Sequence, residues 1–297
     1  MRMIVTGRHG QLVRSLIEAS AMTPIEVVPV SRPEIDLSRI EELLPAIDRL
    51  FPDIVVNAAA YTAVDAAESN ADAALLINGA AAGALATACA RRGIPIIQIS
   101  TDFVFDGTKP SPYLESDQTS PTNVYGASKT LGEQLVAAAA PRHLILRTSW
   151  LVSPFGQNFV KTMLRLAAER DVVNVVDDQY GAPTYAPHLA QAILALAATM
   201  ATASEGDARW GTYHLTNGGE TTWYGLAREV FAIASRRGAG SVQVNAILTS
   251  GYPTPARRPA NSRLDGHKLY DTFAMSLPPW QTGIEHCVER LLAQGAS

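Results

Sequence analysis

The order of strand-like and helix-like runs constrains the fold of this chain more than any other feature. In the first half, short runs rich in β-branched residues, such as RMIVT, IEVVPV, DIVVNAA and IPIIQIS, alternate with longer helical runs such as QLVRSLIEAS and ADAALLINGAAAGALATACARR. Such alternation is typical of βαβ units whose parallel sheet is covered by helices on both faces. It predicts an α/β fold with a doubly wound, Rossmann-like parallel sheet. Pro29 lacks a backbone donor and indicates that the second strand is short or bulged.

The pattern continues into the middle of the chain and then loosens. A further helix is predicted from about Asn123, followed by the strand HLILRTS, the helix NFVKTMLRLAAER and the strand VVNVV. Later helices are separated by loops that contain Pro and Gly. We therefore predict a dinucleotide-binding domain over residues 1–150, with a return segment at about 165–182. A smaller, discontinuous and mainly substrate-binding C-terminal domain is predicted over residues 151–297.

Composition argues against several classes of function. The 297 residues have a net charge of -4 and a pI of about 5.9, which provides no basic field for a nucleic-acid partner. Cys89 and Cys287 are far apart in the sequence, which argues against a disulfide framework or structural zinc and favours a reducing cytoplasm. The most apolar run, Leu189 to Ala203, is too short to span a bilayer. With a strand-like run at the start and no visible export signal, we expect a cytoplasmic protein without nucleic-acid or membrane partners.

A glycine-containing turn follows the first predicted strand. Gly7 and Gly10 precede a helix, where they allow a tight turn and the close approach of a pyrophosphate to the helix N-terminus. The spacing is GxxG, and Val13 stands where a dinucleotide fingerprint would have a third glycine. A plain turn is the alternative interpretation.

Small and polar residues follow the third and fourth predicted strands. Three alanines after the third strand leave space for a flat ligand, although packing against a neighbouring helix explains them equally well. Ser100, Thr101 and Asp102 end the fourth strand, where hydroxyls can donate to a substrate oxygen or cap the next element. These signals converge on one edge of one sheet. The alanines are Ala58, Ala59 and Ala60.

The helix predicted from Asn123 contains the stretch VYGASKTLGEQ. Tyr125 and Lys129 are one turn apart and lie on the same side of that helix. A lysine ammonium held beside a tyrosine would favour the phenolate and lower the tyrosine pKa toward neutral pH, which suits proton transfer. The alternative is an ordinary solvated pair.

As a set, these motifs resemble the extended short-chain dehydrogenase/reductases, and within them the dTDP-4-dehydrorhamnose reductases. The resemblance covers nearly the whole chain, in NAAAYTAVDAAES, STDFVFDG, SPTNVYGASKTLGE, LRTSWLVSPFGQNFVKTMLRLA, DDQYGAPTYA and YPTPARRPANSRL. It implies reduction of the 4-keto group of dTDP-6-deoxy-L-lyxo-4-hexulose to dTDP-L-rhamnose with a nicotinamide as hydride donor. The expected partner is a dTDP-linked 4-keto-6-deoxy sugar, and a homodimer is a candidate assembly.

The resemblance also implies roles for individual residues. Tyr125 would protonate the new alkoxide, Lys129 would adjust the tyrosine pKa and contact the ribose, and Thr101 would hydrogen-bond the carbonyl. The expected substrate contacts are Thr101, Asp102, Trp150, Asn158, Arg258 and Asn261. The expected cofactor contacts are Gly7, Gly10, Gln11, Leu12, Ser31, Arg32, Asp36, Leu37, Ala58, Ala59, Ala60, Tyr125 and Lys129.

Two further expectations concern the cofactor and a metal. Ser31 and Arg32 occupy the place where an acidic residue would bind the ribose of NAD, and an arginine accommodates the 2′-phosphate of NADP. With Arg8 nearby, we expect NADPH to be preferred, with NADH as a second donor. Some related enzymes are described as carrying Mg²⁺ through glutamates at a subunit contact. Because Ser15 replaces one of them, we predict no metal site and activity without added magnesium.

Two other classes of function remain open at this point. A nucleotide-sugar epimerase shares the Tyr and Lys but keeps its NAD through the cycle and interconverts isomers without consuming NADPH. A non-catalytic NAD(P)-binding subunit, like the regulatory subunit of methionine adenosyltransferase, would not need the Thr101, Tyr125 and Lys129 set.

Overall fold

The structure, a computed structural model, describes residues 1–238, 240 and 242–295. Over these residues the predicted alternation of strands and helices is present. The strands are β1 (Arg2–Thr6), β2 (Glu26–Val30), β3 (Ile54–Asn57), β4 (Ile96–Thr101), β5 (His143–Thr148), β6 (Leu151–Val152), β7 (Val172–Val176), β8 (Tyr180–Gly181), β9 (Thr184–Tyr185), β10 (Gly211–His214), β11 (Thr221–Thr222) and β12 (Gln243–Ile247). The α-helices are α1 (Gln11–Ser20), α2 (Leu43–Leu50), α3 (Val64–Ala67), α4 (Ala71–Ala74), α5 (Ala81–Arg91), α6 (Val124–Ala139), α7 (Phe159–Glu169), α8 (Ala186–Met200), α9 (Trp223–Arg236), α10 (His267–Phe273) and α11 (Trp280–Ala293).

A six-stranded parallel sheet in the order β10-β5-β4-β3-β1-β2 forms the centre of the protein. The chain moves outward from β1 to β2 and then crosses to β3 on the other side, so the strand order reverses between β1 and β3. In open α/β sheets, ligands bind beside such a reversal, at the carboxyl ends of the strands. The prediction of a doubly wound α/β fold is confirmed.

Helices cover both faces of this sheet. Strand β3 is buried along its whole length, as expected for a strand with two covered faces. Helices α1 and α8 pack on one face around Leu16 and Ile193. Helices α2, α5 and α6 pack on the other around Leu85 and Val136.

One helical run, Ala71–Arg91, is long and apolar enough to cross a membrane, with a mean hydropathy of 1.6. In the fold, 56% of that apolar window is buried, and α5 packs between α2 and α6. A π-helical turn at Leu75–Ala80 joins α4 to α5. The composition of this run is therefore accounted for by its place in the core.

The later part of the chain has its own apolar cluster. Helices α7, α9 and α11 pack with β7 around Val160, Val230 and Ile284. Strand β7 pairs in parallel with β12, separately from the central sheet. The boundary predicted at about residue 150 stays a prediction.

The segment at about 165–182 contributes no strand to the central sheet. Its strand β7 has alternating exposed residues, which suits the half-covered ribbon that it forms with β12. Its assignment to the dinucleotide-binding domain stays a prediction. The sixth strand of the central sheet is β10, beside β5. Strand β2 is short, as predicted, but Pro29 lies in register with Val5 without a bulge. Because β2 is an edge strand, the missing N–H of Pro29 costs no ladder hydrogen bond.

Candidate active site

A cleft of about 530 Å³ lies at the carboxyl ends of β1 and β4, next to the reversal in strand order. It brings the three predicted catalytic residues together with part of the predicted ligand-binding set. The predicted residues in its lining are Gly10, Gln11, Leu12, Ala58, Ala60, Thr101, Asp102, Tyr125, Lys129 and Trp150. Those outside its lining are Gly7, Ser31, Arg32, Asp36, Leu37, Ala59, Asn158, Arg258 and Asn261.

The turn between β1 and α1 forms one end of the cleft. Gly7 has φ +101°, a backbone conformation that favours glycine, and its N–H donates to the Val30 carbonyl at 2.7 Å. A Cβ on Gly7 would lie 3.4 Å from Val13 Cγ2, so the valine at the third fingerprint position packs against the turn, where it also lines the cleft. Gly10 precedes α1 and has no side-chain cap. The open N–H groups of this first turn fit an anionic pyrophosphate.

Gln11 connects the turn to the segment after β5. Its Oε1 accepts hydrogen bonds from Ser153 Oγ at 2.8 Å and from Asn158 Nδ2 at 2.9 Å. Asn158 also caps α7 by accepting from the Lys161 N–H, and its Nδ2 donates to the Ser153 carbonyl. The side chain of Asn158 is therefore fully used within the protein, and its contact with a diphosphate stays a prediction.

The loop after β2 carries the residues predicted to choose between NADPH and NADH. Arg8 of the glycine turn pairs with Glu34 at 2.6 Å, and both side chains are about two-fifths exposed. Asp36 Oδ1 accepts from both the backbone N–H and the hydroxyl of Ser38, and these bonds lower the pKa of Asp36. Leu37 is buried in the core. Ser31 and Arg32 directly follow β2, and Glu34, the partner of Arg8, is two residues beyond Arg32 in the same loop.

Close packing at the start of α6 places Tyr125 beside the end of β4. Asn123 caps the helix by accepting from the Gly126 N–H at 2.8 Å. A Cβ on Gly126 would stand 2.1 Å from the Phe103 carbonyl oxygen, so only glycine permits this approach. The rings of Tyr125 and Phe103 meet edge to face with centroids 5.6 Å apart.

The protonation of Tyr125 and Lys129 differs from the expectation. Burial raises the pKa of Tyr125 to about 12, with Thr101 pulling in the other direction. Burial lowers the pKa of Lys129 to about 8, and its Nζ donates to the Ile99 carbonyl at 2.5 Å. The predicted lowering of the tyrosine pKa is wrong for this arrangement, because desolvation of the phenolate outweighs the neighbouring groups.

Asp102 is a buried carboxyl at the same rim. Its Oδ1 accepts from Thr101 Oγ1 at 2.9 Å. Burial raises the pKa of Asp102 to about 6, although the hydroxyls of Ser262 and Thr101 oppose this rise. Among the described residues, neither Asp102 Oδ2 nor the hydroxyl of Thr148, which also lines the cleft, has a partner that meets hydrogen-bond geometry, and both atoms are buried. Buried polar atoms without partners suit contacts with a hydroxylated ligand.

Trp150 forms part of the wall of the cleft. It stacks on Trp223 with ring centroids 3.6 Å apart and planes 10° apart. Its φ of +46° is unusual for a residue of this size, and its stacking partner Trp223 is the first residue of α9. Gly181 makes room for it, since a Cβ there would lie 2.4 Å from the indole.

Arg258 and Asn261 lie in the late loop outside this cleft. Arg258 pairs with Asp65 at 2.8 Å and lines a neighbouring cavity of about 690 Å³. Asn261 is buried, and its Nδ2 donates to the carbonyls of Lys109 and Ser111. In this structure both residues brace the loop, and their contacts with dTDP stay predictions.

Sequence reasoning missed Asn78, which ties three parts of the site together. It lies in the π-helical turn, accepts from the Tyr61 N–H at 2.8 Å and donates to the Tyr61 carbonyl. It also donates to Ser128 of α6 at 2.9 Å. A single polar residue within the apolar run ALLINGAAAGAL was the signal that could have revealed it.

The residues that the structure describes contain no group of three His, Cys, Asp or Glu side chains that could hold a metal ion. Ser15, at the position where we expected a lost metal ligand, is buried and donates to the Gln11 carbonyl at 2.8 Å. Activity without magnesium stays a prediction.

Comparison with known proteins agrees with this geometry. The sequence matches the RmlD substrate binding domain over residues 1–293. It is 46% identical to a dTDP-4-dehydrorhamnose reductase of Sinorhizobium fredii over 99% of both chains. A crystal structure of a dTDP-4-dehydrorhamnose reductase from Clostridium acetobutylicum superposes with a TM-score of 0.91 at 34% identity, covering 98% of this chain and 100% of that one. The Bacillus anthracis reductase, solved in complex with NADP, gives a TM-score of 0.89 at 35% identity, covering 97% and 99%.

Proposed function

The chain belongs to the RmlD substrate binding domain family, and we propose that it reduces the 4-keto group of dTDP-6-deoxy-L-lyxo-4-hexulose to dTDP-L-rhamnose with NADPH. The observation that carries this proposal is that Thr101, Tyr125 and Lys129 line one cleft next to the glycine turn. The relatives are named for this reaction, and one was solved with NADP. We extend both the reaction and the use of NADP from these relatives to this chain.

The arrangement suits proton donation to an alkoxide. A bound nicotinamide supplies hydride to the carbonyl carbon, which leaves negative charge on the oxygen. Tyr125 keeps its proton at neutral pH because its pKa is about 12. It can therefore donate that proton once negative charge develops on the substrate oxygen. Lys129, with a pKa of about 8, is largely an ammonium at neutral pH and stabilises the phenolate that remains.

Other residues of the cleft position the sugar. The Thr101 hydroxyl, which donates to Asp102 in this structure, can turn to donate to the carbonyl oxygen of the substrate. That new hydrogen bond strengthens as negative charge develops on the carbonyl oxygen. The free Oδ2 of Asp102 can accept from a sugar hydroxyl. The stacked Trp150 provides an apolar wall for a sugar ring.

Turnover of the 4-keto dTDP-sugar, followed by the loss of NADPH absorbance, tests the proposal. The wild-type protein should consume NADPH in proportion to product. Tyr125→Phe should lower kcat by about 10²–10⁴-fold, the usual range for a positioned general acid, with near-normal ligand binding. Tyr270→Phe, at an exposed tyrosine of α10, is the matched control.

The outcomes separate the alternatives. An epimerase would interconvert isomers without net loss of NADPH, and a binding subunit would consume none. A folded Tyr125→Phe protein that retains most of its kcat would remove the tyrosine from the mechanism. A cytoplasmic location and a homodimer belong to the same proposal and rest on the sequence alone.

A further inference from the structure

A buried ion pair lies directly behind the cleft. Arg147 of β5 makes two contacts with Glu133 of α6, Nη2 to Oε2 at 2.7 Å and Nε to Oε1 at 2.9 Å. Their side chains are only 6% and 7% exposed. Ser100 Oγ also donates to Glu133 Oε1, at 2.5 Å. Glu133 therefore joins the end of β4 to the helix that carries Tyr125 and Lys129.

The location of this pair is informative because burying two charges is unfavourable. Apolar residues of similar volume often give equal or greater stability, so a buried pair is weak evidence for a purely stabilising role. Glu133 is one turn beyond Lys129 on the same side of α6. Ser100, which it binds, directly precedes Thr101. Glu133 therefore contacts the residue before Thr101 and lies on the helix that carries Lys129, although neither Glu133 nor Arg147 lines the cleft.

We propose that Glu133, held by Arg147 and bonded to Ser100, is a positioning residue that keeps Lys129 an ammonium and fixes α6 against the end of β4. This inference rests on the proposed reductase function for its catalytic consequence. Its electrostatic part concerns Lys129 alone and is independent of turnover. In the structure, burial lowers the pKa of Lys129, and the charge of Glu133 opposes that effect.

Other charged and titratable groups lie on the elements that pack around α6. On α6 itself, Tyr125 is neutral at physiological pH. The end of β4 presents Asp102, and β5 presents Arg147, beyond which His214 of β10 contacts the guanidinium. The π-helical turn presents the neutral Asn78. At the start of α6, Glu68 accepts from the Val124 N–H, and Asp65 is paired with Arg258.

An NMR titration of lysine labelled with ¹³C at Cε tests the electrostatic step in the full chain. The chain has the lysines Lys109, Lys129, Lys161 and Lys268, so the spectrum is simple, and Lys129→Met assigns the resonance. In Glu133→Gln, the Lys129 midpoint should move to lower pH by about one unit, toward the lower end of the range for a nearby opposite charge. Glu169→Gln, which removes a carboxylate from the exposed pair with Arg165, should leave it unchanged.

A double variant keeps the test decisive if Glu133→Gln folds poorly. Glu133→Gln with Arg147→Met removes both charges and leaves no uncompensated buried cation. Its Lys129 midpoint should lie between those of Glu133→Gln and the wild type. A Lys129 titration that superimposes on the wild type in either folded variant overturns the inference, whether or not the protein turns over the sugar.

Turnover gives the second readout. A Lys129 midpoint that falls from about 8 to about 7 reduces the ammonium fraction at about pH 7.5 roughly threefold, so kcat should fall roughly threefold there with KM little changed. The alkaline limb of the kcat profile should move to lower pH by the same amount. If the wild type consumes no NADPH, the proposed reductase function fails. The NMR titration still tests whether Glu133 raises the pKa of Lys129. If the wild type is active but the Glu133→Gln limb does not move, this inference fails alone.

Discussion

Replacing Asp102 by Asn should change how the stability of the protein depends on pH. The carboxyl is buried, and burial raises its pKa from 3.8 to about 6. The folded protein therefore holds this proton more tightly than the unfolded chain does. The stabilisation is fully present well below the unfolded pKa of 3.8, where both states are protonated, and is lost as pH rises through the folded pKa of about 6. Since one pH unit corresponds to about 1.4 kcal/mol, the loss is about 3 kcal/mol.

Urea unfolding at several values between about pH 4 and about pH 7 measures this effect. The free energy of unfolding of the wild type, minus that of Asp102→Asn, should fall by about 2 kcal/mol across this window, most of the full loss of about 3 kcal/mol. Only the difference is informative, because carboxyls such as Asp106 and Asp207 have lowered pKa values that act in the opposite direction. Asp72→Asn, at an exposed position of α4, is the control. A difference that stays constant over the window would show that Asp102 titrates alike in both states, and the reasoning from burial would be refuted.

Three other changes give separate tests. Arg32→Ala should lower kcat/KM for NADPH and leave NADH nearly unaffected, because it removes a cation suited to the 2′-phosphate; equal effects on both cofactors would exclude that role. Gly126→Ala should destabilise the protein by about 1–3 kcal/mol and reduce kcat, since its Cβ would stand 2.1 Å from the Phe103 carbonyl oxygen. Gly206→Ala, where no atom lies within 4 Å of the added Cβ, is its control in thermal unfolding. EDTA should leave activity unchanged, and a large loss that magnesium restores would contradict the expected independence of metal.

The order of elements could be predicted from the sequence because local patterns determine it. Buried parallel strands are rich in β-branched apolar residues, and RMIVT and IPIIQIS have this property, with Met3, Ile4, Val5, Ile96 and Ile97 all buried. Strand pairing is different, because it depends on contacts far apart in the chain. VVNVV resembles a central strand in composition, yet it pairs with β12, while the short GTYH run supplies the sixth strand beside β5. Composition alone does not identify the neighbour of a strand.

The protonation of the site residues likewise could not be predicted from local sequence patterns. The spacing of Tyr125 and Lys129 correctly predicts a shared helix face, and both residues line the cleft. Spacing does not reveal depth, however, and depth determines their protonation. A Cβ on Gly132 would stand 2.1 Å from the Asn78 carbonyl oxygen, and a Cβ on Gly126 would stand 2.1 Å from the Phe103 carbonyl oxygen. Both glycines therefore allow α6 to approach these segments closely. These two contacts hold α6 against segments that are distant in the sequence. Burial raises the pKa of Tyr125 to about 12 and lowers the pKa of Lys129 to about 8, so the site at neutral pH contains a protonated phenol and an ammonium, which is the state from which a proton can be given to an alkoxide.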